Sequence, residues 1–234
     1  MDLTHKTLLV IAPHPDDEVL GCGGLIQKVK QAGGNVYVLY LTVGDTQDFS
    51  KKGTSTAKER TTEIEKVVRF LGVDGYDIAH NGDHHLKLDV MGQHAVMQTI
   101  ERKSPVSLEK VMPDIVAFPS LHSYNQDHQL VAQATHAALR PAEAGTKYFV
   151  PTAIAYEMPA DEWCIQNRPV PNTFVQLNQE EMRIKTQAMK LYVSQMRSFP
   201  NPRSLITIEA LARLRGSHTA FEFAEGFVGY RVIM

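Results

Sequence analysis

Short runs of apolar residues recur along the chain and predict the strands of a buried sheet. Thr7–Ala12 is apolar after its first residue, and Val36–Thr42 is a similar run rich in β-branched and aromatic residues. Runs of this length without polar alternation are typical of strands that are covered on both faces. Shorter strands are predicted over the remaining apolar runs at Tyr76–Ile78, Asp114–Pro119, Ala153–Tyr156 and Phe174–Leu177.

Longer segments with apolar residues three and four positions apart predict amphipathic helices between these strands. In Ala57–Leu71, for example, Ile64, Val67 and Val68 fall on one face. Strands that alternate with helices form parallel sheets through right-handed crossovers. We therefore predict a single α/β domain over residues 1–234, a Rossmann-like three-layer fold with a mostly parallel sheet. The other predicted helices are Val19–Ala32, Met91–Arg102, Gln129–Leu139, Glu180–Ser194 and Ile206–Arg215, and a polar loop is predicted over Gln47–Thr56.

The most unusual stretch of the chain is Pro13-His14-Pro15-Asp16-Asp17-Glu18, which follows the first predicted strand. An imidazole and three carboxylates therefore lie where a strand ends and a helix begins, the place at which open α/β sheets bind ligands. Carboxylates in a first helical turn also favour the positive helix N-terminus. So many carboxylates repel one another unless a cation or donors lie close. The stretch favours a divalent metal held by His14 and one aspartate.

A second polar stretch, Asn125-Gln126-Asp127-His128, begins the predicted helix that follows the strand Asp114–Pro119. Asn125 or Asp127 can cap that helix. His128 is therefore expected at the same edge of the sheet as His14, where the two imidazoles can meet. Two imidazoles and a carboxylate form the ligand set of a catalytic zinc (Zn2+) site with an open position for water. The same set accepts iron(II) (Fe2+), and spacing alone does not decide which aspartate is the ligand.

The bulk composition narrows the class of protein. A formal net charge of −2 argues against a surface built to bind nucleic acid. Cys22 and Cys164 lie in unlike contexts and indicate neither a disulfide framework nor a cysteine-rich zinc site. The first apolar run is too short for a signal peptide or a membrane span. We therefore expect a cytoplasmic protein that acts on a small molecule.

The stretch from Pro13 to Glu18 resembles the signature of the LmbE-like, or PIG-L, family of zinc-dependent N-acetylsugar deacetylases. Asp127-His128 is similar to the second motif of that family. The resemblance implies a metal-dependent hydrolase that removes an N-acetyl (N-acyl) group from an amino sugar or sugar conjugate. It assigns His14, Asp17 and His128 to the metal and Asp16 to the general base. Homo-oligomers are common in this family.

The resemblance also covers residues around this site. Arg60-Thr61-Thr62-Glu63 is similar to a family Arg-x-x-Glu motif, and Asp83 looks like a family aspartate that meets the sugar, so Arg60 and Asp83 are expected to bind substrate. Some relatives carry a histidine where this chain has Asn125. The Asn125 amide can donate a hydrogen bond to an oxyanion but cannot become cationic. Asp127 is expected either to cap the helix or to orient a neighbouring ligand.

Other matches and polar residues carry weaker predictions. His84 and His85 are expected to be loop residues, because adjacent positions on an extended chain point to opposite faces. The donors near Asn125 have no assigned task; they are His122, Ser123 and Tyr124. Toward the C-terminus, the family pattern is also matched by Lys185, Ala188, Tyr192, Gln195, Arg215-Gly216 and Ala224-Glu225-x-Phe227.

Two other functions fit parts of the pattern. His14-x-Asp16…His128 fits the facial triad of non-haem Fe(II) oxygenases, but those enzymes usually stand on an all-β barrel, which the alternating strands and helices do not predict. Gly21-Cys22-Gly23-Gly24 suggests a non-catalytic dinucleotide-binding module, although the G-x-G-x-x-G spacing is missing. Bound metal together with amide hydrolysis separates the deacetylase from both alternatives.

Overall fold

The computed structural model describes residues 2–47, 53–143, 145–164 and 169–233. Its strands are β1 (Thr7–Ala12), β2 (Asn35–Val43), β3 (Thr46–Gln47), β4 (Thr54–Ser55), β5 (Gly75–Asn81), β6 (Ile115–Phe118), β7 (Thr152–Tyr156), β8 (Thr173–Leu177) and β9 (Phe223–Val232). Seven of these strands form one sheet in the order β5-β2-β1-β6-β7-β9-β8. Strands β5, β2, β1, β6 and β7 are parallel, and β9 runs antiparallel to both of its neighbours.

Helices cover both faces of this sheet. The α-helices are α1 (Asp17–Gln31), α2 (Ala57–Leu71), α3 (Gln93–Gln98), α4 (Leu108–Val111), α5 (Gln126–Ala138), α6 (Gln179–Leu191) and α7 (Leu205–Ser217). Apolar residues of α1, α2, α6 and α7 pack in one core, and those of α3, α4 and α5 pack in a second core on the opposite face. The predicted three-layer α/β fold with a mostly parallel sheet is therefore confirmed.

Strand β1 shows why the central strands lack a polar face. Leu8 and Val10 point into the core that contains α1, whereas Leu9 and Ile11 point into the core that contains α5. Successive side chains of a strand alternate between the two faces, so a strand covered by helices on both sides needs apolar residues at every position.

The chain reverses its direction of travel across the sheet between β1 and β6. Strand β2 and then β5 are added on one side of β1, whereas β6 and β7 are added on the other side. At such a reversal, the loops that leave two neighbouring parallel strands diverge and open a crevice. Because β1 and β6 pair directly, with Leu8 opposite Ile115, the starts of α1 and α5 lie side by side at this crevice.

Two predicted elements differ from those observed, and one observed strand was not predicted. The helix predicted over Met91–Arg102 is divided into a 3-10 turn ending at Met91, helix α3 and a π-helical turn over Thr99–Lys103. The loop predicted over Gln47–Thr56 lies outside the described residues at positions 48–52, and its flanks form the ribbon β3–β4. Strand β9 was not predicted. Within the described chain, no helix has the length and apolar character needed to cross a bilayer.

Candidate active site

His14, Asp17 and His128 meet at the crevice between β1 and β6. His14 follows β1, Asp17 is the first residue of α1, and His128 lies in the first turn of α5. Nδ1 of His14 lies 3.3 Å from Nε2 of His128. Oδ2 of Asp17 lies 3.5 Å from the first of these nitrogens and 3.2 Å from the second. All three side chains are buried, so the fold brings together three potential ligand atoms from two distant stretches of the chain.

This donor set fits a divalent metal. Ligand atoms about 2.0–2.1 Å from a tetrahedral zinc ion lie about 3.3 Å from one another. The separations among His14, Asp17 and His128 fall around that value, and their ligand atoms can all face one ion. Two neutral imidazoles and one carboxylate also leave a net positive charge on a bound divalent ion. The cluster can therefore hold zinc or iron(II) and retain an open position for a substrate or water.

Asp127 fixes the orientation of His14. Nε2 of His14 lies 2.9 Å from Oδ2 of Asp127, whose other carboxylate oxygen accepts a hydrogen bond from the backbone N–H of Leu88. A carboxylate can only accept, so the His14 proton belongs on Nε2 and the lone pair on Nδ1. The helix cap is supplied instead by Asn125, whose Oδ1 accepts the backbone N–H of Asp127 at 2.9 Å.

The charges around His14 favour a cation. Burial alone lowers the pKa of the His14 imidazole, but its contacts with Asp127 and Asp17 outweigh burial and leave the pKa raised. Burial raises the pKa of the Asp17 carboxyl, but the neighbouring His128 and His14 outweigh burial and leave that pKa below its ordinary value. The cluster thus attracts positive charge, and a metal ion can displace the proton that it would otherwise hold.

Asp16 lies beside the cluster in an uncommon backbone conformation. Its φ angle is 102°, a region that favours glycine. Oδ2 of Asp16 accepts a 2.8 Å hydrogen bond from Nε of Arg203, whereas the buried Oδ1 has no hydrogen-bond partner among the described residues. Burial raises the pKa of the Asp16 carboxyl, and Arg203 opposes that effect. The carboxylate therefore keeps one oxygen available for a ligand.

Arg203 was not predicted from the sequence. It lies between α6 and α7 and lines the same cleft as Asp17, Asn125 and His128. Its side chain is 38% exposed, and the charge of Asp16 raises the pKa of its guanidinium. An arginine can donate through Nη1 and Nη2 as well as Nε. The cleft therefore combines a ligand cluster, a carboxylate and a permanent cation.

Arg60 and His85 form a buried pair behind His14. Nη1 of Arg60 donates to the carbonyl oxygen of Gly44 (3.1 Å) and to Nε2 of His85 (2.8 Å). Since arginine cannot accept, the proton of the neutral His85 lies on Nδ1, which is 3.3 Å from Oγ1 of Thr42. Burial and Arg60 lower the pKa of His85 to about 3. The ring of His85 meets that of His14 edge-on, with centroids 5.4 Å apart.

His85 thus has a more specific environment than a loop position implies. His84 ends the 3-10 turn Gly82–His84, and the next residue, His85, turns into the protein. Asp83 lies in the same turn but is exposed. The structure therefore links Arg60 to His14 through His85 and leaves Asp83 exposed at the protein surface.

Asp161 is a second acidic residue that was not predicted. Its carboxyl is buried, and Oδ2 accepts the backbone N–H of Met158. Burial raises the pKa of Asp161 to about 6, and the charge of His128 opposes this shift. Nδ1 of His128 and Oδ1 of Asp161 are both buried without a hydrogen-bond partner in the described part of the chain.

Glu18, the third carboxylate of the stretch from Pro13 to Glu18, has a structural role in the protein core. Glu18 is fully buried, and its Oε1 accepts a 2.6 Å hydrogen bond from the hydroxyl of Tyr192. Its Oε2 accepts the backbone N–H of Asp16, so Glu18 also supports the strained turn. Burial raises the pKa of Glu18 to about 8. Burial therefore favours the neutral form of Glu18.

Similar proteins were found by sequence. Residues 9–139, more than half of the chain, match the family described as PIG-L: GlcNAc-PI de-N-acetylase. The Escherichia coli (strain K12) protein named "Uncharacterized deacetylase YaiS" is 27% identical over 193 residues, which are 81% of this chain and 91% of that protein. Diacetylchitobiose deacetylase of Thermococcus kodakarensis is 32% identical over 111 residues, which are 47% of this chain and 41% of that enzyme.

Solved structures share the fold. The conserved protein TT1542 from Thermus thermophilus has 26% identity and a TM-score of 0.73, with 98% of this chain and 96% of that chain covered. The N,N'-diacetylchitobiose deacetylase of Pyrococcus horikoshii has 21% identity and a TM-score of 0.74, with coverages of 96% and 83%. GalB, the 4-carboxy-2-hydroxymuconate hydratase of Pseudomonas putida KT2440, has 21% identity and a TM-score of 0.73, with 98% of each chain covered.

These last two similarities establish the fold alone, because one fold carries both a deacetylase and a hydratase. The family match is more informative, since it covers most of β1, the cluster of His14, Asp17 and His128, and helix α5. The resemblance inferred from the motifs is confirmed by this match. The chain belongs to the PIG-L (LmbE-like) family of deacetylases.

Proposed function

We propose that this protein is a metal-dependent hydrolase that removes the N-acetyl (N-acyl) group from an amino sugar or sugar conjugate. The observation that carries this proposal is the cluster of His14, Asp17 and His128 with the unpaired Oδ1 of Asp16 beside it. A ligand set with an open position and an adjacent carboxylate is one arrangement that can activate water to hydrolyse an unactivated amide. The oxygenase and nucleotide-binding alternatives lack this support from the family match.

His14, Asp17 and His128 are the proposed metal ligands, with zinc as the proposed native metal. Zinc bound there would supply Lewis acidity, which polarises the amide carbonyl and lowers the pKa of water to about 7. Asp127 holds His14 so that Nδ1 faces the other two ligand atoms. Asp161 is proposed to pair with His128 when metal is bound, since its buried Oδ1 and Nδ1 of His128 are both left without a partner among the described residues.

Asp16 is the proposed general base. It takes a proton from the attacking water through its free oxygen, and the water oxygen forms a bond to the acyl carbon. The C–N bond then breaks, the proton moves from Asp16 to the leaving amine, and acetate and an amino sugar are released. One group can serve both steps because the base is protonated at the moment when the amine needs a proton.

Asn125 and Arg203 are proposed to stabilise the negative charge that develops on the acyl oxygen. Both residues line the cleft beside Asp17 and His128. Asn125 uses its Oδ1 to cap α5, which leaves its Nδ2 hydrogens free to donate toward the cleft. Arg203 supplies the positive charge that a neutral amide cannot supply. Fixed donors at such a position contribute a large part of the rate enhancement in acyl transfer.

Arg60 and Asp83 are proposed to contribute to substrate binding. Arg60 acts through His85 and the turn that follows β5, and Asp83 lies on the exposed side of that turn. We also propose that residues 1–234 act as a single deacetylase domain.

The experiment that tests this function uses metal content and acetate release on the same preparations. Asp17→Ala, His14→Ala and His128→Ala should each lose metal and activity, because each removes one ligand atom. Asp16→Asn should keep about one metal per chain and lose most of its turnover, since an amide preserves size but cannot accept the proton of water. Elemental analysis measures the metal, and acetate is assayed across a panel of N-acetylated sugars.

Two outcomes would contradict the assignment. Metal loss in Asp16→Asn together with metal retention in Asp17→Ala would exchange the roles of the two aspartates. Wild-type protein with a full complement of metal that releases no acetate from any N-acetylated sugar would overturn the proposed function itself.

A further inference from the structure

Glu63 is the second charged residue of the motif Arg60-Thr61-Thr62-Glu63 and has no role in the proposed reaction. The residues that α2 buries are apolar except for Arg60 and Glu63. Arg60 contacts His85, whereas Glu63 contacts the segment 192–204, which joins α6 to α7. Burying a carboxylate is costly unless donors surround it. The environment of Glu63, which is 9% exposed, therefore indicates a specific task.

Glu63 holds a single residue, Ser194, through both of its oxygens. Oε1 of Glu63 accepts the backbone N–H of Ser194 at 2.8 Å, and Oε2 accepts its hydroxyl at 2.6 Å. The hydroxyl oxygen of Ser194 in turn accepts a 2.9 Å hydrogen bond from Nε2 of Gln195. Hydrogen bonds to an ionised acceptor are roughly twice as strong as neutral ones. One end of the segment 192–204 is thus fixed on α2.

Arg203 lies at the other end of this segment. Its backbone N–H donates to Oδ1 of Asn201 at 2.9 Å, and the next residue, Ser204, caps α7. Within the described residues, its side chain makes one hydrogen bond, from Nε to Oδ2 of Asp16. Arginine side chains have a large rotamer entropy, which a single contact restrains only in part. The position of the guanidinium therefore depends on where the backbone of Arg203 is held.

The segment 192–204 has few free torsions between its two ends. The backbone N–H of Asn201 donates to the carbonyl oxygen of Ser198 at 3.1 Å and closes a turn. Pro200 and Pro202 have φ angles that their rings fix. A displacement at the Glu63 contact is therefore transmitted to Arg203 and is not absorbed by a flexible loop.

We propose that Glu63 is a positioning residue for Arg203. Its contacts with Ser194 fix the segment that brings the guanidinium to Asp16. The inference rests on the proposed function, in which Arg203 faces the developing oxyanion. It also gives a task to the second half of the motif, because Arg60 and Glu63 lie three residues apart on one face of α2.

The first test is Glu63→Gln, which preserves size but leaves one acceptor oxygen in place of two. We expect kcat for acetate release to fall about tenfold with metal retained, because a 1 Å displacement of a catalytic group can cost about 100-fold. The substrate is the N-acetylated sugar that the wild-type enzyme hydrolyses fastest. Glu65→Gln is the matched control, since Glu65 is exposed on the same helix and should leave kcat unchanged.

Double variants show whether Glu63 acts through Arg203. In an Arg203→Ala background, Glu63→Gln should lower kcat by less than about twofold, because the group that Glu63 positions is already absent. In an Arg60→Ala background, Glu63→Gln should keep its full effect. Equal losses in the wild-type and Arg203→Ala backgrounds would overturn the proposal, since Glu63 would then support the site in general.

Proton exchange at Nε of Arg203 tests the inference without turnover. In nitrogen-labelled protein, the arginine Nε–H resonance that is missing from Arg203→Ala belongs to Arg203. Its exchange with water should be faster in Glu63→Gln and unchanged in Glu65→Gln, because the hydrogen bond to Asp16 protects this proton. Unchanged exchange in Glu63→Gln would overturn the positioning role whatever the activity. Faster exchange, in a protein whose metal-loaded wild type releases no acetate, would support the positioning and contradict the proposed function.

Ser194→Ala provides a second test if Glu63→Gln does not fold. It removes the hydroxyl but keeps the charge of Glu63 and the hydrogen bond from the backbone N–H. Smaller changes in the same direction are expected in kcat and in Nε–H exchange, and Ser194→Thr, which keeps a hydroxyl, should restore both. Wild-type values of both quantities in Ser194→Ala would contradict the proposal.

Discussion

The ion pair between Arg203 and Asp16 is the contact that changes the chemistry of the site most. Nε of Arg203 lies 2.8 Å from Oδ2 of Asp16, and the guanidinium lines the cleft with Asn125. Burial raises the pKa of the Asp16 carboxyl, and the charge of Arg203 opposes that shift. Arg203 therefore favours the charged form of the proposed base and is also placed to face the proposed oxyanion.

Replacing Arg203 should therefore reduce turnover without loss of metal. For Arg203→Ala we expect kcat to fall about 100- to 1,000-fold, because a fixed charged donor near a developing oxyanion is removed. Arg203→Lys should recover little of this loss, since an ammonium lacks the planar fork of donors. Added guanidinium chloride at concentrations well below those that unfold the protein should restore part of the activity of Arg203→Ala but not of Arg203→Lys.

Kinetics and elemental analysis on these variants check the expectation. Unchanged kcat in Arg203→Ala would remove Arg203 from the mechanism. Metal loss in the same variant would show that Arg203 supports the fold of the site and not its chemistry.

Sequence patterns located some of these residues and missed others for a physical reason. The stretch from Pro13 to Glu18 combines an imidazole and carboxylates within six residues, so its composition alone marks it. Arg203 lies in a polar, proline-containing segment where any solvated arginine would look the same, and its partner Asp16 is 187 residues away in sequence. His85 is similar, because its burial depends on contacts with Arg60 and Thr42 that no local pattern encodes.

At the scale of elements, helix α1 is anchored by a buried ion pair behind the site. Nζ of Lys185 lies 2.6 Å from Oε1 of Glu225 and donates to the carbonyl oxygen of Leu20. The carboxylate of Glu225 also accepts the backbone N–H groups of Gly24 and Leu25. Lys185 and Glu225, two residues of the family pattern toward the C-terminus, therefore stabilise helix α1, which carries Asp17.

The glycines of α1 belong to the same packing. A Cβ atom at Gly24 would lie 2.4 Å from a methyl group of Leu177, and one at Gly21 would lie 2.4 Å from the ring of Tyr156. Such distances are too short for a real contact. Gly21 and Gly24 thus allow α1 to approach β7 and β8, which accounts for the glycine-rich stretch without a bound dinucleotide.

Breaking the buried pair should destabilise the protein strongly. We expect Lys185→Met to lower the free energy of unfolding by about 3–5 kcal/mol, because the charge of Glu225 stays buried without its partner. Lys185→Met combined with Glu225→Gln should recover part of that loss, since the uncompensated charge is removed. Denaturant unfolding of the single and double variants provides the cycle.

The exposed pair of Arg213 and Glu209 on α7 is a suitable control. Arg213→Ala should have a much smaller effect, because water screens an exposed pair. Equal losses in the buried and exposed pairs would contradict the anchoring role of Lys185.

Strand β9 was not predicted, because its sequence lacks the usual pattern of a strand. Gly226 and Gly229 interrupt the β-branched and aromatic residues that normally predict a strand, and Glu225 adds a charge. Tertiary contacts require these residues: a Cβ atom at Gly226 would lie 2.7 Å from Oε2 of Glu157, and Glu225 anchors α1. In β9, which pairs with both β7 and β8, packing requirements therefore outweigh the low strand propensity of the sequence.

At the scale of the whole molecule, the fold places the site where the sequence predicted a shared edge. His14 and His128 are separated by 113 intervening residues, yet they meet because β1 and β6 are neighbours in the sheet. The alternation of strands and helices was sufficient to predict this edge, because parallel strands align their carboxyl ends. Of the neighbours of the site, Arg203 comes from an irregular segment and Asp161 from the short 3-10 turn Pro159–Glu162, and the positions of both depend on the completed fold.

Metal binding should stabilise the whole protein. A ligand that binds only the folded state at 100 times its dissociation constant adds about 2.7 kcal/mol. For a chain of this length, each kcal/mol shifts Tm by about 2–4 °C, so adding zinc to chelator-treated protein should raise Tm by about 5–10 °C. Calorimetric or fluorescence melting with and without metal measures the shift.

The variants that separate the two aspartates also serve as controls for melting. Asp17→Ala should show no metal-dependent shift, whereas Asp16→Asn should retain it. A metal-dependent shift that persists in Asp17→Ala would place the stabilising ion away from the His14 cluster.

At Asp16, the left-handed backbone favours glycine, whereas the proposed reaction needs a carboxylate. A non-glycine residue in such a conformation costs of order 1–3 kcal/mol, and glycine would relieve most of that cost. Asp16→Gly would therefore be favoured in a laboratory search for thermostable variants, although it deletes the carboxyl group on which the proposed reaction depends. Selection for catalysis must keep the less stable residue at this position, so tolerance to heat and turnover of substrate cannot both be maximal in this protein.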